Sequence, residues 1–221
     1  MKRIGVFLIV VLAMSVLPTA ADIFAPPDYV GDPLSYHAGW EFSVDPGSDL
    51  DIPADLESNG GPKTTEFLYD QFPTRIIFGQ GDGWRWDPAD GDGGMVSDVG
   101  GRIEVEVVNW VDQEPEKFIR VQLTYSGEAP VVLGAEGFMD PDVSIGYFEA
   151  APSNLVDANH LYSDIHLHPN PDWESISIRV PSGTILDEVV VDTVSIPEPS
   201  AIIMILASAG GLLFVRRNFM I

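Results

Sequence analysis

Three groups of side chains in this sequence have types and spacing suited to chemistry. The first is the acidic, glycine-rich run GDGWRWDPADGDGG, which places Asp82, Asp87, Asp90 and Asp92 close together. Ca²⁺ takes about six to eight hard oxygen ligands, and glycine lets a backbone wrap an ion while presenting its carbonyls. The spacing departs from the EF-hand loop, which needs acids at alternate positions, a fixed glycine and a distal Glu. The run therefore reads either as a Ca²⁺ site or as a solvated turn. Asp45, Asp49 and Asp51 form a sparser set of the same kind, and Asp140 and Asp142, flanking Pro141, suit a turn.

The second group lies inside the first. Trp84 and Trp86 flank Arg85, so two indoles share one face of an extended segment. Such a pair can be a carbohydrate-binding platform against which sugar rings stack, with the neighbouring carboxylates accepting hydroxyl hydrogens. It can equally be core at a strand end, as the pattern around Trp40 requires of that residue. The third group is Asp164-x-His166-x-His168, whose period of two puts a carboxylate and two imidazoles on one strand face. With His160 or Asp172 added, the set would suit Zn²⁺ or another transition metal and a metal-dependent hydrolase. The intervening Ile165 and Leu167 make the opposite face apolar, so a solvated polar face accounts for the pattern as well.

Catalytic signatures are otherwise missing. The chain has no G-x-S-x-G elbow, no H-E-x-x-H and no phosphate-binding loop. With no cysteine it can have neither disulfides, nor thiol catalysis, nor thiolate metal sites. The expected protein is not an enzyme.

The elements that must position these groups are strands. Ala38, Trp40, Phe42 and Val44 alternate with polar or small residues, as do Ile103, Val105 and Val107, and Ile119, Val121, Leu123 and Tyr125. Ile165 and Leu167 continue the pattern, followed by Ile176, Ile178 and Val180 against Ser175, Ser177 and Arg179, and a last strand over 185–194. Clusters such as DPGSD, SNGGP and PNPD separate them as turns, and residues 45–66 read as a loop insertion. No segment between the termini has the period of an amphipathic helix. The fold class this predicts is all-β: an antiparallel β-sandwich, jelly-roll-like, with two apolar sheet faces packed together.

The ends have a different character. Lys2 and Arg3 precede an apolar stretch over 4–17, and Pro18-Thr19-Ala20-Ala21 offers small residues for signal peptidase, so residues 1–21 are expected to be a signal peptide. At the other end an uncharged run from Ser200 to Val215 would make a helix of about 24 Å, short of the roughly 30 Å hydrocarbon core. It predicts a single, marginal transmembrane helix, with Arg216 and Arg217 on the cytoplasmic side of the inner membrane. Pro197 and Pro199 stiffen the segment before it and hold Glu198 extended and accessible. Between these ends, residues 22–195 form one acidic domain with 7 Lys and Arg against 33 Asp and Glu, a net charge of −26. That field opposes nucleic acid and anionic lipid, and favours solubility and cations.

The order Pro197-Glu198-Pro199, apolar helix, Arg216-Arg217 resembles the PEP-CTERM sorting signal of Gram-negative bacteria, here over 196–221. The resemblance implies recognition and cleavage near the Pro-Glu-Pro triplet by exosortase, a membrane protease associated with exopolysaccharide production. It further implies an exported protein held briefly at the inner membrane and then delivered to the cell surface or the extracellular exopolysaccharide matrix, as in biofilm. Separately, ESISIRVPSGTILDEVVVDTVSI is similar to the closing strands of galactose-binding-like and carbohydrate-binding modules, which implies a β-sandwich and, as an alternative function, binding of polysaccharide with a Ca²⁺-braced loop.

Overall fold

Period-two alternation produces strands throughout the computed structural model, which describes residues 24–30, 34–59, 74–88, 93–108, 115–139 and 143–196. The expected signal peptide and the Pro197–Ile221 tail lie outside these residues, as do Asp90, Asp92, Trp110, Asp140 and Asp142. Among the described residues, no helix is long and apolar enough to cross a membrane.

The first half of the chain forms β1 (Ser35–Glu41), β2 (Asp51–Pro53), β3 (Leu56–Asn59), β4 (Arg75–Phe78), β5 (Trp84–Asp87), β6 (Gly94–Ser97) and β7 (Gly101–Val108). The second half forms β8 (Glu116–Ser126), β9 (Val131–Met139), β10 (Val143–Glu149), β11 (Asn154–Leu155), β12 (His160–Leu167), β13 (Trp173–Val180) and β14 (Ile185–Ile196). One sheet, here sheet A, runs β11-β12-β8-β14-β1-β3, with the β5–β6 hairpin joined to β14 through β6. The other, sheet B, runs β10-β9-β13-β7-β4-β2. Every pair is antiparallel. One core lies between them: Ala38, Trp40, Val121, Leu123 and Val191 from sheet A meet Ile76, Phe78, Val105, Ile176 and Ile178 from sheet B. Each fully buried aliphatic side chain there contributes about 1.5–3 kcal/mol.

The alternating strands appear where the pattern predicts them, with two differences. β1 ends at Glu41, so Phe42 is buried from beyond the strand, its N–H donating to the Asp187 carbonyl at 3.2 Å. The 45–66 insertion carries two short strands, because β2 pairs with β4 and β3 with β1.

β14 is buried on both faces. Its inward side chains Val189 and Val191 enter the core, while Val190, Asp192 and Val194 face out yet are covered. Part of the cover is residues 24–30: the Ala25 N–H donates to Gln122 Oε1 at 2.9 Å, Arg120 Nη1 donates to the Ala25 carbonyl at 3.2 Å, and the Tyr29 hydroxyl donates to the Asp192 carbonyl at 3.3 Å. Burial first, and then the Asp192 carboxylate, hold the Tyr29 phenol well above its ordinary range. Beneath this strap, Asp164, Arg120, Asp192 and His37 stand opposite one another across four strands, and the covered carboxylates have polar partners: Arg120 pairs with Asp164 at 2.7 Å, and His37 Nδ1 lies 2.8 Å from Asp192 Oδ1.

A second polar contact lies within the core. Lys117 of β8 and Glu174 of β13 both point between the sheets, 1% and 0% exposed, and the ammonium donates to both carboxylate oxygens at 2.7 and 2.9 Å.

Candidate functional site

Trp84 and Trp86 do not form a solvent-facing platform. β5 alternates both indoles inward: Trp84 meets Phe78 edge to face at 4.9 Å, and Trp86 Nε1 donates to the Phe42 carbonyl at 2.8 Å. They pack partly buried against the core, which is the second of the two readings their spacing allowed. Arg85, between them, faces out and pairs with Asp87 at 2.8 Å and Asp98 at 3.2 Å.

The acidic run is correspondingly split. Asp82 Oδ2 accepts the Arg102 N–H at 3.2 Å on one side of β5, while Asp87 takes Arg85 at the far end of that strand. The extended residues between them span about 10 Å or more, so one ion cannot bridge the two carboxylates. Asp90 and Asp92 lie outside the described residues. Of the sparser set, Asp45 and Asp49 accept the backbone N–H groups of Gly47 and Asp51 at 2.8 and 3.1 Å, and Asp51 pairs with Arg75 at 2.9 Å.

The Asp164, His166 and His168 set is also distributed among separate partners. Asp164 is held in a bidentate pair by Arg120 at 2.7 and 2.9 Å. His166 stacks on Phe118 at 4.3 Å with its Nε2 3.1 Å from Glu116, and β12 ends before His168. His160 pairs with Asp157 at 2.8 Å, where the Asn159 N–H and the imidazole hold that carboxyl below its usual range. Among the described residues, no group of three or more His, Asp or Glu is placed to hold a metal ion.

The outer face of sheet B gathers what the predicted sites do not. Registers across β7, β13, β9 and β10 put Glu104, Ser177, Gly134 and Glu149 in one row, and Glu106, Ser175, Glu136 and Tyr147 in the next. Tyr147 is 50% exposed, and its phenol end rests on Gly134, where a Cβ would stand 2.8 Å from the hydroxyl oxygen. Burial against the sheet and the Glu104 and Glu149 carboxylates raise its pKa, opposed by Arg102. Around it, Ser175 and Ser177 donate to Glu104 Oε2 at 3.1 and 2.8 Å, Arg102 pairs with Glu104 at 2.5 Å and also donates to Ser177, and Ser144 donates to Glu136 at 2.6 Å. At one end of the face Phe138 and Trp173 stack at 4.0 Å and 7°. At the other, a cleft of about 670 Å³ opens beside Arg102, Val131 and Arg179, walled by the 99–101, 128–129 and 181–182 turns.

Sequence spacing did not mark this face, since its residues come from four strands. The one signal was the outward phase of Ser175, Ser177 and Arg179 against Ile176, Ile178 and Val180.

No protein-family model matches the chain, and no curated protein does. Among solved structures it is similar to the carbohydrate-binding module TmCBM27, described for specific mannan recognition, at 14% identity over 71% of this chain and 97% of that one, with a TM-score of 0.27.

Proposed function

We propose that this chain is an exported, non-enzymatic protein whose sheet B binds an extracellular polysaccharide. The observation that carries the proposal is Tyr147, half exposed and seated on Gly134, in a field of carboxylate, hydroxyl and guanidinium groups already fixed by one another. A sugar ring stacks its C–H face on an aromatic ring and offers hydroxyl hydrogens, which the Glu104 and Glu149 carboxylates can accept. Because these partners are pre-oriented, little ordering accompanies binding.

The test is affinity electrophoresis of the full-length protein in non-ionic detergent through gels carrying neutral or acidic polysaccharides. Tyr147→Ala is expected to weaken retention about tenfold or more, corresponding to about 1.4 kcal/mol. The unfolding midpoint should not move, since the side chain is half exposed. Unchanged retention of this variant, or no retention of the wild type by any polysaccharide, would overturn the proposal.

Delivery belongs to the same proposal. The PEP-CTERM-like tail follows directly on Ile196, the last residue of β14, so cleavage near Pro197-Glu198-Pro199 by exosortase would leave the sheet complete. Intact-mass measurement of the extracellular pool is expected to find a form without Arg216 and Arg217; a pool retaining them would contradict this route.

A further inference from the structure

In a chain with 34 acidic and 11 basic residues, an exposed cation has carboxylates on nearly every side. Among the described residues, Arg75, Arg85, Arg102, Lys117 and Arg120 are each ion-paired. Arg179 is the exception: it is exposed, lines the cleft at the end of sheet B, and makes no ion pair or hydrogen bond through its guanidinium among the described residues. Its cross-strand neighbour is Arg102, directly opposite in the β13–β7 register. Like charges facing each other across strands are unfavourable. Glu104 offsets the charge of Arg102, and Asp82, the cleft acid nearest to that strand, is already accepting the Arg102 N–H. Glu128 stands on the opposing turn. The five N–H donors of Arg179 are left facing the cleft, in the planar fork that matches a carboxylate.

We infer that the cleft takes the carboxylate of a uronic acid residue in an anionic polysaccharide, with Arg179 as its bidentate partner. The inference rests on the glycan-binding reading of the Tyr147 face and names the class of sugar. Tyr147 lies over Gly134, which is paired with Ser177, two residues along β13 from Arg179. That is about 7 Å, the scale of one step along a polysaccharide, so one sugar on Tyr147 places the next at the cleft. The acid-rich surface adds selectivity: a polyanion that cannot reach Arg179 meets only repulsion. Repulsion from distant carboxylates is damped beyond about 8 Å at physiological salt, whereas a direct guanidinium–carboxylate contact is not.

The experiment uses the full-length protein in non-ionic detergent. Gels carry polygalacturonate or alginate, the same polymers after reduction of their carboxyls to neutral hexoses, or poly-L-glutamate. Wild type is expected to be held at least tenfold more strongly by a uronate polymer than by its reduced form. Arg179→Gln is expected to lose that tenfold preference while keeping its retention on the reduced polymer, and Arg179→Lys, with charge but no fork, to fall between. Tyr147→Ala should weaken retention on both polymers. Arg179 is exposed, so an unchanged unfolding midpoint will show that Arg179→Gln is folded. If Arg179→Gln behaves as wild type while Tyr147→Ala loses retention, the uronate assignment is wrong and the glycan reading stands. If no polysaccharide is retained, the glycan reading itself fails. Retention by poly-L-glutamate equal to that by uronate, and indifferent to Tyr147→Ala, would overturn the sugar assignment.

Discussion

Replacing Lys117 by Met is expected to destabilise the domain by about 3–5 kcal/mol, because it strands the Glu174 carboxylate between two sheets. At about 2–4 °C per kcal/mol for a domain of this size, the unfolding midpoint should fall by ~10 °C. The cost arises from the partner left behind and not from the lost pair, since taking two ions out of water offsets most of their mutual attraction. The double variant Lys117→Met with Glu174→Leu should therefore recover most of the loss. Calorimetry on the single and double variants decides the matter. A single variant as stable as wild type would mean that water reaches the carboxylate, and a double variant no better than the single would mean that the pair itself holds the sheets.

That ion pair also marks the limit of what alternation alone can show. β8 was recognisable from Ile119 to Tyr125, and the same phase carried two residues earlier puts Lys117 inside. Glu174 likewise keeps phase with Ile176 and Ile178. Alternation thus assigns both to the core, while their charge assigns them to the surface, and only a partner on the other sheet resolves the conflict. Nothing local shows that partner, because 57 residues separate the two.

Elsewhere the loss was of a different kind. β9 shows no clean alternation, because Gly134 and Gly137 interrupt its apolar run and an irregularity opposite Ser177/Ile178 shifts its phase. The strands in 45–66 are too short to show a period. Trp84 and Trp86 were legible as sharing a face, but whether that face met core or solvent depends on Phe78 and Phe42, which come from other segments. The outer face of sheet B suffers most from this, since each of its rows takes one residue from each of several strands, and a linear chain shows columns, not rows. Arg179 was legible as outward. Its lack of a carboxylate partner among the described residues is a property of the folded surface.

Gly134→Ala should couple fold and site in a way that Tyr147→Ala does not. Gly134 has φ of +151°, and a Cβ there would meet the Phe148 carbonyl on one side and the Tyr147 phenol at 2.8 Å on the other. The phenol can swing away, being the far end of a side chain; the carbonyl belongs to the β10 backbone, paired to β9 along this stretch, and cannot. Backbone strain of about 1–3 kcal/mol and overpacking of about 1–3 kcal/mol then add, for a loss of about 2–6 kcal/mol. Relief comes by moving β10, the edge strand of sheet B, and with it Tyr147. The expected result is a lower unfolding midpoint together with loss of polysaccharide retention, whereas Tyr147→Ala loses retention alone. Hydrogen exchange should localise the change to the β9–β10 amides. A Gly134→Ala protein that keeps both its midpoint and its retention would show that β10 is free to shift without disturbing the tyrosine, and the close seating of Tyr147 on the sheet would then have no part in recognition.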